Sequence, residues 1–204
     1  MKKLLVTLGC AVLLSALAGC QSPAANNSGV EVFVKDGGEF PSSLAGRWKA
    51  RNDWQLVFEP NGIISSAIVP ITVVEIRPNQ TTRVQGQKGE PGYFEAGNFT
   101  VYYNPEDREL SVDIKIKQVY LEMGGILKGP WEYLVIGNIL EDGKTWQADV
   151  FTSLDLAVLA PDPNHRIAGK PKYKYIGPLR ADFGQEVESL MFTKVPDGNA
   201  TNNK

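Results

Sequence analysis

Apolar and polar positions trade places along most of the chain. The clearest stretch is 110–117, where Leu110, Val112, Ile114 and Ile116 alternate with Ser111, Asp113, Lys115 and Lys117. A period of two puts successive side chains on opposite faces of an extended backbone, so this stretch is a strand with one wet face. The same reading covers 54–58, 99–103, 131–136 and 146–151, each rich in β-branched and aromatic residues. Residues 63–77 form a longer apolar run that Pro70 divides, because proline cannot donate into a central ladder. Turn-forming residues separate the runs at Asn61-Gly62, Pro78-Asn79, Asn104-Pro105 and Asp142-Gly143. Connections this short make neighbouring strands antiparallel. Helical spacing is confined to 154–160 and to 182–190, where Phe183, Val187 and Leu190 recur at helical intervals around Gly184. The expected fold is all-β, either an antiparallel meander barrel or a β-sandwich of about eight to ten strands.

Composition narrows the functional classes. The chain has 204 residues, enough for one domain, and a formal charge of -2 that offers no field to attract nucleic acid. Two cysteines cannot build a disulfide scaffold, and one histidine cannot build a multi-histidine metal site. No cofactor and no metal are expected.

The N-terminus reads as an address. Lys2 and Lys3 precede an apolar run over 4–17, which is too short to span a hydrocarbon core of about 30 Å as a helix and has the form of a signal-peptide core. It ends Leu17-Ala18-Gly19-Cys20, which resembles the lipobox of bacterial lipoproteins. That resemblance implies cleavage before Cys20, acylation of its sulfur and amino group, and anchoring of the mature chain by several acyl chains. Cys10 would leave with residues 1–19, so the mature chain would keep no free thiol. It would carry two positive charges fewer than the full sequence. Residues 20–29 are the lipidated cysteine and a small, polar tether of about 15 Å as a coil; 30–195 are a single β domain, and 196–204 a frayed tail. The implied location is the cell membrane or outer membrane, facing the periplasm or exterior.

A second resemblance lies at the start of the β domain. Gly46-Arg47-Trp48 resembles the Gly-x-Trp signature that opens the first strand of lipocalin-like barrels, followed as in that family by a hairpin and meandering strands. The aromatic-rich strands suggest binding of a small apolar or amphipathic molecule, with Trp54, Phe58, Tyr133 and Trp146 of the interior face as wall residues. The other reading of Trp48 is a core tryptophan of any β fold.

Chemistry is sparse. His165 stands in a turn-rich segment with no nucleophile elbow, and reads as a solvated loop residue. Residues 137–145 have five residues between their glycines where a phosphate loop needs four, and a strand follows, so they read as a hairpin turn. Asp113, Glu122, Glu132 and Asp149 sit in strands opposite the apolar face; a hydrolase would require Glu132 and Asp113 within about 10 Å. Lys170, Lys172 and Lys174 alternate with Tyr173 and Tyr175 and, with Arg166, form the most cationic stretch. They read either as a contact for anionic headgroups or as a solvated face over a tyrosine-lined core. Residues 153–169 are long for a connection and would form a pocket mouth. The expectation is a monomeric, non-enzymatic binding module, held at the membrane by the acyl chains on Cys20, with no nucleic-acid partner. Its rivals are an envelope interaction protein with a solid β core and a carboxylate-dependent hydrolase.

Overall fold

The computed structural model describes residues 28–70, 74–86, 89–167, 170–182 and 187–196, with the backbone alone at 166–167 and 170–171. Cys20 and its tether up to residue 27 lie outside the described residues. Twelve strands share one sheet: β1 (Val30–Val34), β2 (Gly46–Lys49), β3 (Gln55–Phe58), β4 (Ile64–Val69), β5 (Val74–Ile76), β6 (Thr81–Gln85), β7 (Pro91–Asn104), β8 (Glu109–Glu122), β9 (Ile126–Ile139), β10 (Thr145–Ile167), β11 (Lys170–Ala181) and β12 (Val187–Lys194). Each strand read from alternation is present, but four of the five run far longer than their alternating centres. Hydrogen-bonded partners on both sides carry β7, β8 and β9 to 14 residues each.

The strand order is β1-β7-β8-β9-β10-β12-β2-β3-β4-β5, with β6 also on β7 and β11 also on β10. All pairs are antiparallel except β1 with β7, which is parallel. The last strand, β12, pairs with β2 through Thr193↔Lys49, as a meander barrel requires. Among the described residues no ladder joins β5 to β6, so the sheet is not closed into a barrel. At that seam the Thr82 hydroxyl donates to the Glu75 carbonyl at 3.2 Å.

Two strands share one edge of β7 end to end. β6 pairs residues 91–95 and β1 pairs residues 99–103. The same happens on β10, where β12 pairs residues 145–151 and β11 takes over from Leu154. Register shifts cross β7 near Ala96 and β8 between Ile116 and Val119, and such bulges bend and twist the strands that carry them. The molecule therefore has two levels. The lower one wraps around through β12, β2, β3 and β4. The upper one is an open sheet of β6-β7-β8-β9-β10-β11.

The lower level is filled. Trp48, Trp54, Trp146, Phe99 and Phe192 are fully buried. Trp146 stacks on Phe192 at 4.9 Å, and Trp54 meets Tyr133 edge-on at 5.1 Å.

The segment 153–169, expected as a loop with helical spacing over 154–160, is instead strand as far as Ile167, the end of β10; residues 168–169 lie outside the described residues. β9 pairs with it as far as Leu159 and β11 along its other edge, so both edges of 154–159 are hydrogen-bonded. Pro161 and Pro163, which lack N–H groups, fall past Leu159 where β9 no longer pairs. The helical spacing over 182–190 is likewise overturned from Val187 onward, which is β12; residues 183–186 lie outside the described residues.

Candidate functional site

In an antiparallel pair, directly opposed residues point to the same face. One row of such partners crosses the upper sheet: Val84↔Gly92, Gly92↔Leu121, Leu121↔Leu127 and Leu127↔Val158. Leu156↔Leu179 extends the same face onto β11. Together these strands wall an apolar cleft of about 400 Å³, lined by Val84, Gly92, Leu121, Leu127, Leu156 and Leu179, one residue from each of six strands. Trp131 adds to its lining, and Glu90, Glu122 and Met123 also border it. The volume falls in the range of small-molecule sites, about 300–1,000 Å³.

Gly92 keeps the row open. A Cβ there would stand 2.7 Å from a Val84 methyl and 3.0 Å from a Leu121 methyl. The β10–β11 hairpin is tied to the cleft's border by the Tyr173 hydroxyl, which donates to Glu122 Oε1 at 2.7 Å.

The four aromatic residues expected to wall a pocket do not line this cleft. Trp54, Phe58, Tyr133 and Trp146 are buried in the packed interior, and burial pushes the Tyr133 phenol up. They point inward as alternation requires, but at the lower level the inside is core. Trp131, tilted against Tyr133 at 5.8 Å, links that core to the cleft.

The cationic stretch lies on the hairpin arm. Lys172 stands opposite Asp162 and Lys174 opposite Ala160, both exposed, while the side chains of Arg166 and Lys170 lie outside the described residues. The tyrosines of this stretch do not line a core: Tyr173 is half-buried and Tyr175 is 60% exposed. His165 stands near the end of β10, exposed, its Nδ1 2.9 Å from Asp162 Oδ2. The Asn164 amide and the His165 ring hold the Asp162 carboxyl below its usual range.

Asp113 and Glu132 do come together. Lys115 Nζ lies 3.1 Å from Asp113 Oδ2 and 3.5 Å from Glu132 Oε1, which brings the two carboxylates inside the separation that a hydrolase would use. Burial and the nearby Asp113 raise the Glu132 carboxyl, and the hydrogen bond to Asp113 raises the Lys115 ammonium. Their strand neighbours Ile114 and Tyr133 point into the core, so this trio stands on the outer face. Asp149 accepts the Ser189 hydroxyl at 2.6 Å and Glu122 the Tyr173 hydroxyl, so each of the four candidate carboxylates has a partner. No cluster of three or more His, Cys, Asp or Glu side chains suited to a metal occurs among the described residues.

Compared with known protein families, with curated proteins and with solved structures, the chain matches none.

Proposed function

We propose that this chain is a lipid-anchored binding protein of the bacterial envelope, acylated at Cys20, whose monomeric β domain takes a small apolar or amphipathic molecule in the cleft of its upper sheet. The observation that carries the reading is the uninterrupted apolar row from Val84 to Leu127, continued by Leu156 and Leu179 around one cavity of about 400 Å³. Burial of a single hydrocarbon chain against such a wall contributes roughly 0.8 kcal/mol per methylene. A binding role is favoured over catalysis because the candidate carboxylate pair, Asp113 and Glu132, is bridged by a lysine on the outer face.

Cys20→Ser is expected to abolish labelling by a palmitate analogue and to release the protein from membranes. Native mass spectrometry of the released protein is expected to show a lipophile, co-purified or added. Leu179→Glu sets a charge on a half-exposed wall residue and is expected to remove that adduct while leaving the melting temperature near that of the parent. An adduct that survives the substitution, or none across a broad lipid panel, would reject the cleft as the site. The filled lower level favours a second reading, an envelope interaction protein with a solid core. Crosslinking in intact cells would then trap one particular partner.

A further inference from the structure

Past Leu159, the partners of β10 lie only on β11, so residues 160–167 and 170–174 form an arm that extends beyond the rest of the sheet. On β11 next to this arm, and at the adjoining tip of the β8–β9 hairpin, apolar side chains stand exposed among the described residues. Met123 is 63% exposed, Tyr175 60%, Ile176 57% and Leu179 47%. Other exposed apolar residues are Val187 and Met191, lower on β12, and Phe33, Tyr102 and Leu140, less exposed, toward the opposite end.

Charge is divided along the same axis. The turns at the opposite end carry Glu59, Glu106, Asp107, Glu141 and Asp142 against Lys35, Arg108 and Lys144. Lys35 there is already engaged by Glu106, and Arg108 by Glu141. On the arm Lys172 and Lys174 stand exposed, with Arg166 and Lys170 beside them in sequence; the nearby carboxylates are Asp162, Glu122 and, at the cleft's border, Glu90. An anionic surface would repel the acidic turns and attract the arm.

The tether fits the same orientation. From Cys20 to Ser28 the backbone reaches at most about 27 Å. From Phe99, where β1 enters its ladder, to Gly92 at the cleft is seven residues of strand, or about 23 Å. An acyl group on Cys20 can therefore reach a bilayer at the level of the cleft.

We propose that the β10–β11 arm docks on the anionic lipid bilayer itself. Tyr175, Ile176, Leu179 and Met123 enter the interface, Lys172 and Lys174 meet headgroup phosphates, and the mouth of the cleft opens onto the membrane. The ligand class follows: the cleft takes an acyl chain of a bilayer lipid rather than a solute from the aqueous compartment. This rests on the reading of Cys20 as the anchor and of the cleft as the site.

The test places a single environment-sensitive fluorophore on an introduced cysteine, at Ile176 in one sample and at Leu140, in the turn at the far end, in another. Full-chain protein purified from bacterial membranes is reconstituted in vesicles of phosphatidylethanolamine and phosphatidylglycerol carrying a nitroxide-labelled lipid. Quenching is expected to be several-fold stronger at Ile176 than at Leu140, and to fall in the double variant Lys172→Gln, Lys174→Gln. Equal quenching at the two sites, or stronger quenching at Leu140, would overturn the docking. Intact mass distinguishes the two layers of the argument. Absence of acyl groups defeats the anchor alone, and the same labelled chain added to the vesicles still tests the arm. There, replacing both lysines is expected to weaken co-sedimentation about 25-fold. Unchanged binding, or binding equal on phosphatidylcholine vesicles, would overturn the docking in that arm as well. Shielding of Ile176 by a protein crosslinked in cells, without lipid quenching, would assign this end to a protein partner instead.

Discussion

Asp142 shows how much one side chain does for a turn. Its Oδ1 accepts the amides of Lys144 and Thr145 at 2.8 and 2.9 Å, and its Oδ2 accepts the Thr145 hydroxyl at 2.7 Å. These bonds, led by that of the hydroxyl, hold the carboxyl below its ordinary value. A folded-state value below the unfolded one favours the native protein above the ordinary carboxylate range, and that contribution disappears as pH falls through the lowered value. Asp142→Ala is therefore expected to lower the melting temperature at pH 7, with the gap to the parent closing in acid below about pH 4. Thermal denaturation across a pH series reads this directly. The buried tryptophans offer a second contrast. Trp48 donates from Nε1 to the Leu44 carbonyl at 2.9 Å, whereas Trp146 Nε1 has no hydrogen-bond partner among the described residues. Replacement by phenylalanine removes similar volume from each, so Trp48→Phe is expected to cost about 1 kcal/mol more than Trp146→Phe in urea unfolding.

At the scale of the strand, the spacing between β9 and β10 depends on Gly137. A Cβ at that position would lie 2.0 Å from the Gln147 carbonyl oxygen and 2.6 Å from the Ala148 Cα, both backbone atoms that cannot swing away. Gly137→Ala is expected to destabilise the fold by about 3 kcal/mol, seen as an earlier urea midpoint. Strand centres were legible from alternation because one face of β8 is core and the other solvent, as Ile114 and Lys115 illustrate. Strand lengths were not, since they depend on partners far along the chain. Leu154, Leu156, Val158 and Leu159 fall on both faces of β10, where pairing on two edges leaves little contrast, and such a run has no readable period.

For the molecule as a whole, the cleft was hidden for a related reason. Its wall draws on seven strands, from Val74 of β5 to Leu179 of β11, and only the ladder registers bring Val84, Gly92, Leu121 and Leu127 into one row. Trp54 and Trp146 drew attention as large aromatic residues, yet bulk of that kind fills a core as readily as it lines a pocket, and here it fills the core. Apart from Trp131, the apolar row of the cleft is built of smaller aliphatic residues and a glycine, which carry no signal of their own in a linear chain. The cationic run at Lys172 and Lys174 was legible because it is a short-range pattern, and both side chains stand exposed on β11.

Among the described residues, β11 pairs on one side only. A bare strand flank is a template on which further copies can add by backbone hydrogen bonding, the first step toward fibrils. Here Pro171 and Pro178 bring no N–H donor to the strand, while Lys172 and Lys174 set like charges along it. The residues that would meet a bilayer thus also keep a solitary chain from stacking into cross-β polymers, and a version stripped of them would be expected to clump on purification.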